Sequence, residues 1–160
     1  MTAAHRPSLV SLAVVAYCGW QSLDLVDAWR TSPFEKFGWA ALLFWLVPLV
    51  QGIACKFKMA GWPEGNSVLL WAGLGFSFVG TIGEVNALHY AGLACALAGL
   101  LPWSWKQFPW LLSAISWMPV FGYLVSHQFP RLVLPARLVL AALVAGWTTW
   151  ESFRRAKPAS

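Results

Sequence analysis

Charge is scarce in this sequence. Only 11% of its 160 residues are Asp, Glu, Lys or Arg, where a soluble domain carries about a quarter. Acids are the scarcer sign, six against eleven bases. So little charge argues against a water-exposed surface over most of the chain. Cysteine is sparse as well. Cys18, Cys55 and Cys95 all lie in apolar runs, and none belongs to a CxxC or a spaced pair. That pattern argues against a disulfide framework and against a metal site. Alternating polar and apolar residues over about ten positions are missing too, which argues against a membrane β-barrel. No nucleic-acid motif accompanies the formal charge of +5. Basic residues in such a chain serve orientation in a bilayer, and no nucleic-acid partner is expected.

Apolar residues, by contrast, make up 59% of the chain. A spanning helix needs roughly 20 mostly apolar residues. Six such runs follow one another, at about 8–25, 37–55, 66–83, 86–103, 108–126 and 132–150. The last is interrupted by Pro135 and Arg137. Polar, Pro and Gly residues collect between them in "DAWRTSPFEK", "KFKMAGWPEGN", "GEVN", "WSWKQFP" and "SHQFPR". These short connections predict antiparallel neighbours. The first run follows His5 and Arg6 and resembles a signal peptide, but no small-x-small cleavage site follows it, so it is read as a retained helix. The expected fold is all-α: a polytopic membrane bundle of about six transmembrane helices, in one integral membrane domain over residues 1–160.

Six passes put the N-terminus, the second and fourth connections and the C-terminal tail on one side. That side holds Arg6, Lys56, Lys58, Lys106, Arg154, Arg155 and Lys157. The other holds Arg30, Lys36, Arg131 and Arg137. Lys and Arg concentrate in the short loops that stay cytoplasmic. Both termini are therefore expected in the cytoplasm, and the chain in a bacterial cytoplasmic membrane with the lipid bilayer as its first partner. Among the twelve tryptophans, Trp29, Trp39, Trp62, Trp103, Trp105, Trp110 and Trp150 sit near run ends, as an interfacial aromatic belt requires. Trp45, Trp71, Trp117 and Trp147 lie deeper.

The same topology gathers polar residues on the outer side. Asp24 and Asp27 end the first run, and Glu84 to Asn86 form a tight outer turn. His89 lies one helical turn below it. His127, Arg131 and Arg137 complete the set. Intramembrane charge is costly and often functional, so Glu84, His89, Arg131 and Arg137 are candidates for binding a substrate or partner. Glu84 is the expected counter-ion of Arg137. His89 and His127 invite comparison with axial haem ligands, but no second pair occurs, and neither cofactor nor metal is expected.

Cys95 has a packing reading. Ala87, Ala91, Cys95 and Gly99 recur every four residues, with Gly92 and Ala96 beside them. This is a small-residue ridge of the kind that lets membrane helices approach closely.

The run "AWRTSPFEKFGWAALLFWLVPLV" resembles the early membrane region of exosortase and archaeosortase proteins. So does "GLGFSFVGTIGEVNALHYAGLACALAGLLPWSWKQFPWLLSAISWMPVFGYL", with its Gly-rich helix pair, basic turn and Pro-containing helix. The resemblance covers about residues 28–150. It implies a multi-pass membrane transpeptidase that cuts a C-terminal sorting helix with an outer-side Cys, Arg and His. Cys95 matches the Cys and Arg137 the Arg, with His127 the available His. The family's Cys motif continues with a small residue, Gly and Leu, whereas this chain reads "ACALAGLL". No His follows Arg137. The resemblance then implies a non-catalytic scaffold or partner, acting on another membrane protein or a C-terminal sorting helix. An active Cys-dependent membrane transpeptidase is the alternative. Tryptophan-rich sensory and translocator proteins share the length, basic charge and Trp content. That likeness implies a tetrapyrrole- or lipid-binding alternative, but their WxPPxW-like loop and LNxxW element are absent here.

Overall fold

The computed structural model describes residues 9–60, 65–101 and 105–156, without the side chains of 55–60, 106 and 151–156. Every regular element among them is helical. In chain order they are α1 (Leu9–Gln21), α2 (Asp24–Thr31), α3 (Gly38–Ala60), α4 (Ser67–Gly83), α5 (Asn86–Ala98), α6 (Phe108–Leu112), α7 (Pro119–Ser126) and α8 (Val133–Ala156). The middle runs begin within a residue of α3, α4 and α5, but α3 continues to Ala60 and α5 ends at Ala98. The first and fifth runs are not single helices.

The first run breaks at Ser22 and Leu23, and α2 leaves α1 at 40°. The Ser22 hydroxyl donates to the carbonyls of Cys18 (2.9 Å) and His89 (3.2 Å). The break is thus stitched to α5. The fifth run continues from α6 into a 3₁₀ turn, Ser113–Trp117, and then bends by 75° into α7. Pro119 is the cause. Its ring pushes the preceding residue out of the helical region, and Met118 is extended with ψ 147°. Pro119 then opens α7 at its first position, where the missing N–H costs nothing. Pro135 and Arg137 do not interrupt the last run as the sequence suggested. Pro135 falls in the first turn of α8, where no intrahelical donor is needed.

Pro130–Trp150 is, by length and composition, long and apolar enough to cross a membrane unaided. The two bent pairs, α1 with α2 and Phe108–Trp117 with α7, pass only when each is taken together. Gly38–Ala54 and Ser67–Gly83 are shorter apolar helices. Among the described residues one helix, or up to three counting each bent pair as one, meets that criterion, so six uninterrupted spans are not shown.

Two contacts organise the bundle. The α4–α5 hairpin is the most extensive, and α3 on α8 is the next. Asn66 caps α4 by accepting from the amides of Val68 (2.9 Å) and Leu69 (3.2 Å). At the other end Glu84 adopts a left-handed conformation (φ 53°), and the Val85 amide donates back to the Gly80 carbonyl at 2.9 Å. That closure reverses the chain within two residues. The helices then touch backbone to backbone. A Cβ on Gly73 would meet the Gly92 carbonyl at 2.7 Å and the Ala96 amide at 2.8 Å. The interlocking row on α5 is therefore His89, Gly92, Ala96 and Gly99. The expected ridge was turned by about one residue: Ala87, Ala91 and Cys95 are only half-buried.

Tryptophan fills the other half. The indole N–H of Trp45 donates to the Trp110 carbonyl (2.8 Å), and that of Trp110 donates to the Trp45 carbonyl (2.9 Å). Their rings stack at 4.7 Å, and Trp117 meets Trp45 edge-on at 5.9 Å. Trp110 is thus core, not belt. The pairing also has a backbone purpose. A 3₁₀ turn and a bend leave carbonyls without helical partners, which is costly away from water. Trp45 and the Ser113 hydroxyl donate to the Trp110 carbonyl, and Trp29 donates to that of Trp117.

Candidate functional site

Arg137 is the centre of the most unusual cluster. It is wholly buried, on the second turn of α8. Its Nη2 forms a salt bridge with Glu35 Oε2, and its Nη1 donates to the Glu35 backbone carbonyl at 3.2 Å. Glu35 lies in the connection between α2 and α3 and is itself buried. The backbone explains why it turns inward. The Glu35 amide donates to Ser32 and its carbonyl accepts from Gly38, while Phe37 takes a positive φ of 66°. This compact turn directs Glu35 toward α8 and Lys36 and Phe37 outward.

Four residues box the pair. The Phe121 ring lies 5.7 Å from the guanidinium carbon, a cation–π contact. Gly122 of α7 leaves a notch: a Cβ there would fall 1.8 Å from Glu35 Oε1. Gly38 leaves another, since its Cβ would meet Trp29 Nε1 at 2.1 Å and Arg137 Nη1 at 2.9 Å. Trp29 is held in turn by donating to the Trp117 carbonyl at 3.1 Å. Burial pushes the Glu35 carboxyl above its ordinary range, and the Arg137 hydrogen bond and charge offset this only in part. The cluster ties α2, the α2–α3 turn, α7 and α8 together at one end of the bundle. Arg137 Nε and Trp117 Nε1 are buried donors without an acceptor among the described residues.

A second polar group ties α5 to α1, α2 and α4. His89 Nδ1 is 2.8 Å from the Gln21 carbonyl, and its Nε2 is 3.5 Å from the Thr81 hydroxyl. The neighbouring Tyr90 hydroxyl donates to Asp24 Oδ2 at 2.6 Å. Together with Ser22, these bonds secure the bend between α1 and α2.

The candidates are thus separated. His89 and Arg137 are structural members of different clusters. Glu84, His127 and Arg131 are exposed, and none forms an ion pair among the described residues. Glu84 is not the counter-ion of Arg137. It occupies the outer tip of the α4–α5 turn, whereas Glu35 is carried inward by its own turn. Cys95 is a free thiol on α5. No hydrogen bond, ion pair or ring contact among the described residues joins Cys95, His127 and Arg137. The guanidinium that a Cys–Arg–His centre needs is committed to Glu35. Sequence reasoning missed Glu35, Tyr90 and the notches at Gly38 and Gly122. One signal was available: the topology expected from the sequence starts α3 and α8 from the same end, which would bring residues just before Gly38 close to the first turns of α8.

Neither family models, nor curated proteins, nor solved structures match this chain.

Proposed function

We propose that this chain is a small multi-pass protein of a bacterial cytoplasmic membrane, exosortase-like in descent but not catalytic. It serves as a scaffold or partner for membrane-anchored substrates such as a C-terminal sorting helix. Six passes with both termini cytoplasmic are the topology that goes with it. The observation that carries the membrane reading is the inversion of polarity. Trp20, Val68, Trp71, Ile82, Leu143 and Trp147 point outward and are well exposed, while Arg137, Glu35, Ser77, Ser116 and His89 are buried. In water this would expose large apolar patches. In lipid it is the stable arrangement, because apolar side chains face acyl chains while Arg137 is paired with Glu35 and His89 with the Gln21 carbonyl inside. The commitment of the Arg137 guanidinium to Glu35 supports a non-catalytic role.

The test has two arms. Reporter fusions after Lys58 and at Ser160 should read cytoplasmic, and fusions at Thr31 and His127 should read external. Termini on opposite faces would rule out six passes. In cells of the producing organism, Cys95→Ala at normal protein level should leave maturation of membrane-anchored substrates unchanged. Accumulation of uncleaved substrate would instead make the protein a transpeptidase.

A further inference from the structure

We infer that the outward face of the α2–α3 segment is a binding site for the phosphodiester headgroup of anionic phospholipids. This inference rests on the membrane reading above and adds a specific lipid class to it. The turn "SPFEKFGW" separates its side chains by character. Its acid, Glu35, is turned inward onto Arg137. Its base, Lys36, is turned outward and exposed. Three aromatic residues flank that base: Phe34 is 42% exposed, Phe37 45% and Trp39 51%. The rings of Phe37 and Trp39 lie 6.4 Å apart, so they form one surface.

Charge on the segment follows the same division. Asp24 accepts from Tyr90, and Glu35 is neutralised by Arg137. What remains exposed is Asp27, Arg30 and Lys36, a net positive face. Neither Arg30 nor Lys36 has an ion-pair partner among the described residues. Aromatic rings beside exposed bases match the level of a bilayer where headgroups meet acyl chains. The rings sit among the first acyl carbons, and the two cations reach the phosphates. Phe37 strengthens the point. A bulky residue at positive φ is strained, and here the strained residue presents its aromatic ring outward beside Trp39. The Glu35–Arg137 pair holds the turn in this pose, so the buried cluster and the lipid-facing surface are two sides of one element.

The experiment uses the full chain purified in detergent and titrated with phosphatidylglycerol, phosphatidylcholine or soluble glycerol 3-phosphate, with thermal unfolding as the readout of binding. Phosphatidylglycerol should bind and raise Tm more than phosphatidylcholine, and glycerol 3-phosphate should have no effect. Lys36→Gln should weaken phosphatidylglycerol binding about fivefold, the equivalent of about 1 kcal/mol for one base at an anionic surface. Lys36→Arg should retain it, and Glu84→Gln, at the distant turn, should not change it. Equal responses to the two lipids, an unaffected Lys36→Gln variant, or stabilisation by glycerol 3-phosphate would each overturn the inference. Release of the parent protein from membranes by alkaline carbonate would instead overturn the membrane reading. Retention in membranes without lipid selectivity would defeat only the headgroup site.

Discussion

Arg137→Gln should destabilise the purified protein by about 3–5 kcal/mol, the range for removing one partner of a buried ion pair. Glutamine reaches less far and carries no charge. Glu35 would then stay buried without its counter-ion, and its backbone carbonyl would lose the Nη1 donor. Phe121 would lose the cation beneath its ring. The loss should appear as a large drop in unfolding temperature in detergent. Arg131→Gln is the control. Arg131 is exposed at the same end of the bundle, and surface changes of this kind usually stay within about 0.5 kcal/mol. If the two variants unfold alike, Arg137 is an interfacial residue and not the tie between α8 and the α2–α3 turn.

The second large effect lies in the α4–α5 hairpin, where two glycines two residues apart should behave oppositely. Gly73→Ala should destabilise the protein by about 1–3 kcal/mol, the usual cost of overpacking. The added methyl would press on the Gly92 carbonyl and the Ala96 amide. Both are backbone atoms of a helix, so the whole of α5 would have to move. Gly75→Ala should instead stabilise by about 0.5–1 kcal/mol, because alanine loses less entropy in a helix interior. Nothing lies within 4 Å of the Cβ it would add. Thermal unfolding of the two variants side by side distinguishes them. Equal tolerance of both would mean that α4 and α5 do not meet backbone to backbone.

Much of this architecture could be read along the chain. Long apolar runs and the clustered Pro, Gly and polar residues between them located the starts of α3, α4 and α5 closely. The turn at Glu84 was also apparent, since only a tight reversal fits between two such runs. Other features depend on three-dimensional partners. The break at Ser22 follows from one hydroxyl reaching two carbonyls, one of them 67 residues away. The bend at Met118 was signalled by Pro119, but its tolerance comes from indole donors on α2 and α3. Trp110 looked interfacial because it lies near the start of its run. It is core because Trp45 offers a reciprocal pair of hydrogen bonds. The repeat of four through Ala87, Ala91 and Cys95 gives the stripe on α5 but not its rotation. Gly80 supplies that rotation. Its missing side chain accommodates the His89 ring and brings the His89–Gly92–Ala96 row against α4.

Arg137 illustrates the same limit at the candidate site. Its importance follows from depth alone, because a charge inside an apolar run must find a partner. Which partner it finds does not follow, because several acids share that end. Glu84 lay on the tightest turn and seemed nearest. Glu35 is chosen because Phe37 accepts a left-handed conformation and Gly38 and Gly122 leave room. Those are backbone and steric facts, and no residue pattern announces them.

The measurement that tests this account most directly is a double-mutant cycle on that pair. Unfolding free energies would be determined for the parent, Glu35→Gln, Arg137→Gln and the double variant in the same detergent. If the two side chains form one buried ion pair, the double variant should be far less destabilised than the sum of the singles, with a coupling of about 2–3 kcal/mol, at the upper end for residues in direct contact. Strictly additive losses would show that Arg137 and Glu35 do not meet, and would contradict the account.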